Sequence, residues 1–387
     1  MPTEIISLFM HEALRPFNAD HAKLRDTAVE SMAMVSQYWY STVIDNPQIW
    51  NKIYISNRET FARLKTKVAQ VLRGDGATSI YISIASSYID PIKKRDEDDN
   101  EISTGAFIEQ VSMILEAVKH KCSRVKAYVA GQDALLALLS ELEEWNSPRL
   151  EKLEISVDSD LFMDNEDLNK FPPFALFKNA NPRLETMTME DSFCVAVDGP
   201  YYTDLTMLKL LFFRLEGEPS LDALLDALSQ TPKLTYMELY CVGCNGANAC
   251  RRQKPELPVL IRLSIRTWDM SDTIGELVAA ISMPALCTLE LRMEDDMSLD
   301  SLTAKCQDTF KTATELYASI VIQDHKILQR VLETMPNLEM LDCRTSMPAK
   351  VYGELCQMDP NPFEENIIGG AGAIVKIMKE HMEATPT

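Results

Sequence analysis

The residues with the best types and spacing for chemistry at a centre are three cysteines, Cys241-x-x-Cys244 followed by Cys250. The spacing suits thiolate ligation of zinc, but a structural site needs a fourth ligand and usually a second paired set. The five histidines, at 11, 21, 120, 325 and 381, never fall at a His-x-x-x-His spacing. His11-Glu12 opens like a zinc-protease helix, but Arg15 stands where the second histidine belongs. Gly369-Gly370-Ala371-Gly372 lacks the lysine and hydroxyl residue that complete a phosphate loop. No Gly-x-Ser-x-Gly elbow occurs. No catalytic residue, metal or cofactor is assigned, and the chain is expected to bind rather than to catalyse.

Recognition chemistry remains. Tyr236, Tyr240, Arg262, Arg266, Arg292 and Arg344 sit at positions alternating with paired apolar residues. On strands, that alternation places them together on the face away from the core. Tyrosine and arginine are enriched at interaction hot spots, and the guanidinium fork suits carboxylate or phosphate. The expected partner of this patch is a protein substrate, acidic or phosphorylated. The alternative is that the arginines neutralise Glu238, Glu290 and Asp342 on neighbouring strands.

The elements that must position these residues come from a repeat. Six segments read Pro-x-Leu-x-x-apolar-x-apolar, beginning at Pro148, Pro182, Pro232, Pro258, Pro284 and Pro336. Leu205, Leu208 and Leu210 keep the apolar spacing without proline, and Ser123-Arg124-Val125 with Tyr128 is an earlier, weaker copy. Measured at positions 128, 153, 187, 208, 237, 263, 289 and 341, the steps are 25, 34, 21, 29, 26, 26 and 52. The last is twice 26, which places a degenerate copy near Leu316 to Val321. Each apolar pair predicts a strand with one buried face. Each proline is expected to stop the preceding helix, such as Leu221 to Leu228 before Pro232. Strand, loop and helix at this period predict stacked repeats with a parallel sheet on one side and helices on the other. The mixed-charge run Lys93 to Glu101 and the stretch around Asp164 to Pro173 are expected as excursion loops.

Residues 1 to 54 lack the repeat. Ile5, Ile6, Leu8 and Phe9 suit a short amphipathic helix, and Met32, Val35, Trp39 and Val43 fall on one helical face. Asn46-Pro47 ends that helix, and Ile49, Trp50 and Ile53 close the segment.

Pro2-Thr3-Glu4-Ile5-Ile6, Val35-Ser36-x-x-Trp39, Val43 and Pro47-x-Ile49-Trp50-x-x-Ile53 together resemble the F-box motif. The resemblance is to the F-box-like leucine-rich-repeat proteins abundant in mushroom-forming fungi. Phe177-Lys178-Asn179-Ala180-Asn181-Pro182-Arg183-Leu184 is similar to the opening of a repeat in those proteins. This chain departs from the pattern in having Met1 where a leucine usually precedes the proline. It also has extra residues around Arg15 to Asp26, and tyrosines (Tyr38, Tyr40) beside Trp39. The resemblance implies docking on the adaptor of an SCF-type cullin–RING ubiquitin ligase through Pro2, Ile5, Ile6, Phe9, Val35, Trp39, Val43 and Trp50. The repeats would then hold the substrate. The expected fold class is an α/β leucine-rich-repeat solenoid (a horseshoe with helices on its convex side) preceded by a small all-α bundle. The expected domains are 1–56 for the bundle, 57–345 for the solenoid and 346–387 for a C-terminal cap or tail. The competing reading is a repeat scaffold whose N-terminal bundle only caps the solenoid.

Bulk properties narrow the partners. A formal net charge of −20 over 387 residues opposes wrapping a nucleic-acid backbone. No apolar run reaches the roughly 18 residues of a membrane span, and Met1-Pro2-Thr3-Glu4 is not the start of a secretory signal. Nine scattered cysteines, an odd number, read as reduced core thiols, with Cys287 and Cys343 at strand positions. The expected location is cytoplasmic or nuclear.

Overall fold

A computed structural model of the chain describes residues 3–14, 22–44, 46, 49–56, 61–73, 80–85, 104–129, 132–157, 176–178, 182–190, 200–211, 214–215, 221–240, 243–244, 254–267, 272–293, 296–319, 334–345 and 373–378. Pro2, the runs 93–101 and 164–173, and the glycines at 369, 370 and 372 lie outside them. The chain divides into two compact units, one of Met1–Glu166 with Phe174–Leu184, the other of Asp167–Pro173 with Glu185–Thr387.

The first unit opens with three helices, α1 (Thr3–Leu14), α2 (Ala22–Ala33) and α3 (Gln37–Ile44). Strands and helices then alternate: β1 (Lys52–Ser56), α4 (Phe61–Arg73), β2 (Ile80–Ala85), α5 (Thr104–Val118), β3 (Cys122–Val129), α6 (Gln132–Glu144) and β4 (Lys152–Val157). The four strands pair in chain order, all parallel. The strand register thus begins at Lys52, inside the segment assigned above to the bundle. Ile53, Ile55, Ile82, Ile84, Val125, Ala127, Leu153 and Ile155 are all buried, two per strand at alternate positions. Helix α4 shows why the helices cover that face: Leu64, Val68 and Val71 recur at helical spacing and are buried, while Lys65 and Arg73 stay exposed.

The second unit carries β5 (Thr186–Glu190), β6 (Met207–Leu211), a short β7 (Arg214–Leu215), α7 (Leu221–Ser229), β8 (Tyr236–Tyr240) and a short β9 (Gly243–Cys244). It continues with β10 (Arg262–Thr267), α8 (Asp272–Ala279), β11 (Thr288–Met293), α9 (Asp296–Phe310), β12 (Glu315–Ser319), β13 (Met340–Thr345) and β14 (Ala373–Met378). Strands β5, β6, β8, β10, β11, β12 and β13 pair in that order, all parallel, while β7 and β9 form a separate two-residue pair. Strand β12 is the degenerate repeat: Leu316 is in register with Leu289 on one side and Leu341 on the other. The C-terminal region contributes β14, which runs antiparallel to β13.

The repeat is a repeat of hydrogen bonds as well as of side chains. At Pro148, Pro232, Pro258, Pro284 and Pro336 the leucine two residues on donates its N–H to the carbonyl of the residue before the proline. The proline therefore sits at the second position of a tight turn, where its fixed φ is already suited. Helix α7 ends at Ser229, so the proline at 232 follows the helix end and shapes the turn into β8. The carbonyl of the residue before each strand accepts two N–H groups from the next repeat: Thr206 from Thr235 and Tyr236, Thr235 from Ile261 and Arg262, Ile261 from Cys287 and Thr288, Cys287 from Thr314 and Glu315. Polar backbone at these strand openings is thus satisfied from one repeat to the next.

Candidate functional site

Two surfaces follow from the sequence reading, and a third emerges from the strand register. The first is the helical bundle. Its core is Ile6, Met10, Leu14, Val29, Val43 and Ile49, all buried, with Met32, Trp39 and Trp50 packed against it. Ser36 caps α3 by accepting the Trp39 N–H on its Oγ at 3.2 Å. The Trp50 indole Nε1 donates to the Val43 carbonyl at 2.7 Å and so satisfies the end of the same helix.

Of the residues expected to face an adaptor, Ile6 and Val43 lie in the core, and Trp50 is half-buried and committed to α3. Ile5, Phe9 and Val35 are 52%, 59% and 61% exposed. Leu8, Met34, Tyr38 and Tyr40 are exposed too, though sequence reasoning did not assign them. Ile5 and Phe9 share a flank of α1 at i,i+4 spacing. Phe9 meets Trp39 edge-to-face, with centroids 6.1 Å apart and planes at 73°, so the α1 and α3 parts of this apolar surface adjoin.

The second surface is the polar face of the second unit's sheet. Parallel register aligns Tyr236, Arg262 and Thr288 in one row, Glu238, Ser264 and Glu290 in the next, and Tyr240, Arg266 and Arg292 in the third. Ser319 and then Arg344 continue the third row by register. The structure therefore brings the sequence-predicted residues onto one face. It also engages several of them there. Glu238, with its side chain 5% exposed, pairs with Lys209 at 2.8 Å and Arg266 at 3.2 Å and accepts the Tyr236 hydroxyl at 2.9 Å. Arg262 pairs with Glu290 and lies over the Tyr236 ring. Burial alone would raise the Glu238 carboxyl, but hydrogen bonds from Lys209 and Tyr236, with the charge of Arg266, hold it below the ordinary carboxylate range. The Tyr236 phenol is pushed up to about 12, by burial first and then by Glu238. Neutralisation thus describes Arg262 and Arg266. Arg292 is exposed and pairs with none of the described residues.

The third surface is the polar face of the first unit. The alternation after Pro148 marks Lys152, Glu154 and Ser156 as facing out of its sheet, while the residues that β1, β2 and β3 add to the face are not assigned from the sequence. One row of the register reads Lys52, Tyr81, Arg124, Lys152; the next reads Tyr54, Ser83, Lys126, Glu154. Arg124 pairs with Glu154 and lies 5.0 Å over the Tyr81 ring; Lys126 reaches Glu154 at 4.0 Å. Tyr128 is 44% exposed beside them. The signal was present in the strict alternation Lys52-Ile53-Tyr54-Ile55 and Ile80-Tyr81-Ile82. These strands precede the first clear Pro-x-Leu segment, so no repeat pointed to them.

The thiols are placed by packing. Cys122 and Cys306 are buried, and burial raises each to about 12. Cys287 lies one residue before β11 and is half-buried, with its Sγ 3.0 Å from Thr314 Oγ1, so it is not a core strand residue. Of the cysteine trio only the backbone of Cys244 is described. Among the described residues no group of His, Cys, Asp and Glu is arranged to hold a metal ion, and no helix is long and apolar enough to cross a membrane. No protein-family model matches the chain, and no curated protein matches it in sequence.

Proposed function

We propose that this protein is the substrate-recognition subunit of an SCF-type ubiquitin ligase, a leucine-rich-repeat protein with an F-box-like bundle and no catalytic residues of its own. The single observation that carries the reading is the exposed apolar surface of α1 and of the turn that leads into α3. Ile5, Leu8, Phe9 and Val35 are each more than half exposed over a bundle that already has a complete core. Large apolar side chains clustered in water mark an interaction site. They lie in the segment that resembles an F-box, so the partner is the ligase adaptor. The repeats, with polar sheet faces bearing arginine, lysine and tyrosine, then hold a protein substrate in the cytoplasm or nucleus.

The competing reading is a repeat scaffold whose bundle is a cap only, and it is favoured by the packing of α2 on β1. It leaves the exposed residues without a task. Co-purification with the adaptor decides between the two. Ile5→Asp with Phe9→Asp, both at exposed positions, is expected to abolish capture while lowering the thermal transition only slightly. Failure of the unaltered protein to bind any ligase adaptor would establish the scaffold.

A further inference from the structure

The two units carry similar polar sheet faces with different charge balance. On the second unit, among the residues whose side chains are described, Lys209, Arg262, Arg266 and Arg292 share the face with an equal number of acids: Glu190, Glu238, Glu290 and Glu315. On the first unit, Lys52, Arg124, Lys126 and Lys152 share the face with one carboxylate among the described residues, Glu154, which Arg124 and Lys126 reach. This cationic surplus stands within a chain of net charge −20, so it is a local feature against the overall field.

From this geometry we infer that the sheet face of the first unit, with Lys52, Arg124, Lys126 and Lys152 among Tyr81 and Tyr128, binds an aspartate- and glutamate-rich segment of a protein partner. The inference rests on reading the repeats as the substrate-binding part, and it names the class of substrate. It also moves the grip away from the arginines of the second unit, several of which are already paired.

Spacing selects the occupant. Lys52, Arg124 and Lys152 lie in one register row on strands one, three and four. At about 4.8 Å per strand the row spans roughly 14 Å. Charges spread along a line suit successive carboxylates, which recur about every 7 Å on alternate residues of an extended chain. A lone phosphate needs cations converging on one point, and this row does not provide that. A nucleic-acid backbone would meet the repulsion of the remaining acidic surface. The tyrosines add flat apolar area beside the charges, as at protein interfaces. Lys152 is half-buried and engages none of the described side chains, so it is the cation most available to a ligand.

The test is fluorescence anisotropy with the full chain and a short labelled peptide of alternating Glu and Gly. The same peptide with Gln, one carrying a single phosphoserine, and a single-stranded DNA of similar length serve as comparisons. Binding of the Glu peptide that weakens with added salt is expected, with the Gln peptide showing none. Lys152→Glu, and separately Arg124→Gln, are expected to weaken it about tenfold or more, while Arg292→Glu leaves it unchanged. The salt dependence of the unaltered protein is a readout that needs no variant to fold. Absence of Glu-peptide binding, or loss on Arg292→Glu but not on Lys152→Glu, overturns the assignment. Tighter binding of the DNA or the phosphopeptide reassigns the face and equally overturns it. Lys152→Glu is expected to retain adaptor capture, and Ile5→Asp with Phe9→Asp to retain peptide binding, so failure of this inference is distinguishable from failure of the ligase reading.

Discussion

Arg266 reaches from β10 to Glu238 on β8 at 3.2 Å, closing over a carboxylate that Lys209 and Tyr236 already hold from other sides. The carboxylate is the hub, since each partner supplies one positive or hydroxyl contact and Glu238 supplies all the acceptors. Removing it leaves two cations and a phenol facing one another.

That arrangement has a definite pH dependence. The folded Glu238 carboxyl titrates below its unfolded value, so its contribution is full above about pH 5 and is lost as pH falls through the folded value. Glu238→Gln is expected to lower stability by about 1–3 kcal/mol at pH 7. Urea melts should show the gap between the two proteins narrowing as pH falls toward 3. A gap independent of pH would mean that the charge of Glu238 does not stabilise the fold.

Phe177 offers a test of backbone strain. It is fully buried at φ 53°, and its N–H donates to the Leu142 carbonyl at 3.1 Å while the Lys178 N–H donates to Glu143 at 2.8 Å. The turn therefore satisfies carbonyls at the end of α6. Phe177→Ala is expected to cost about 3–5 kcal/mol through lost packing. Phe177→Gly loses the same ring but relieves the left-handed backbone by about 1 kcal/mol. The glycine variant should thus melt above the alanine variant, the reverse of the usual order.

Thiol reactivity should follow burial. With Cys122 and Cys306 both raised to about 12, almost none of either is thiolate at pH 8. Iodoacetamide followed by peptide mass spectrometry is expected to find both unmodified in the native protein and labelled in urea. Cys287, half-buried against Thr314, should react before them. Labelling of Cys122 at the rate of Cys287 would contradict the packing of β3.

What was legible in the sequence follows from which interactions are local. A Pro-x-Leu turn and an apolar pair two residues apart leave a signature within eight residues, so β4, β5, β8, β10, β11 and β13 could be placed, and the doubled step located β12. Strands β1 and β2 lack the proline, and their cationic rows exist only through pairing of residues far apart in the chain, Lys52 with Tyr81, Tyr81 with Arg124 and Arg124 with Lys152. The burial of Glu238 was not legible for the same reason: its position on the strand is a polar one, and it is covered by side chains from β6 and β10. At Phe177 the positive φ carries no glycine or asparagine to announce it.

In the bundle the amphipathic pattern identified apolar residues without telling core from surface, because α1 and α3 are apolar on more than one side. Stability and docking should therefore separate by residue. Ile6→Ala and Val43→Ala remove fully buried side chains and are expected to destabilise the first unit by about 1–4 kcal/mol, with adaptor affinity unchanged in the folded fraction. Trp50→Phe, which loses the hydrogen bond to the Val43 carbonyl, should cost about 1 kcal/mol in the same way. Val35→Ala is expected to do the opposite, changing stability by less than about 0.5 kcal/mol while weakening capture of the adaptor. Phe9→Ala is expected to weaken capture at a cost of about 1 kcal/mol from its lost edge contact with Trp39. Thermal melts beside binding titrations check the division. Variants at Ile6 and Phe9 that behaved alike in both measurements would show that the exposed cluster is not a separate docking surface.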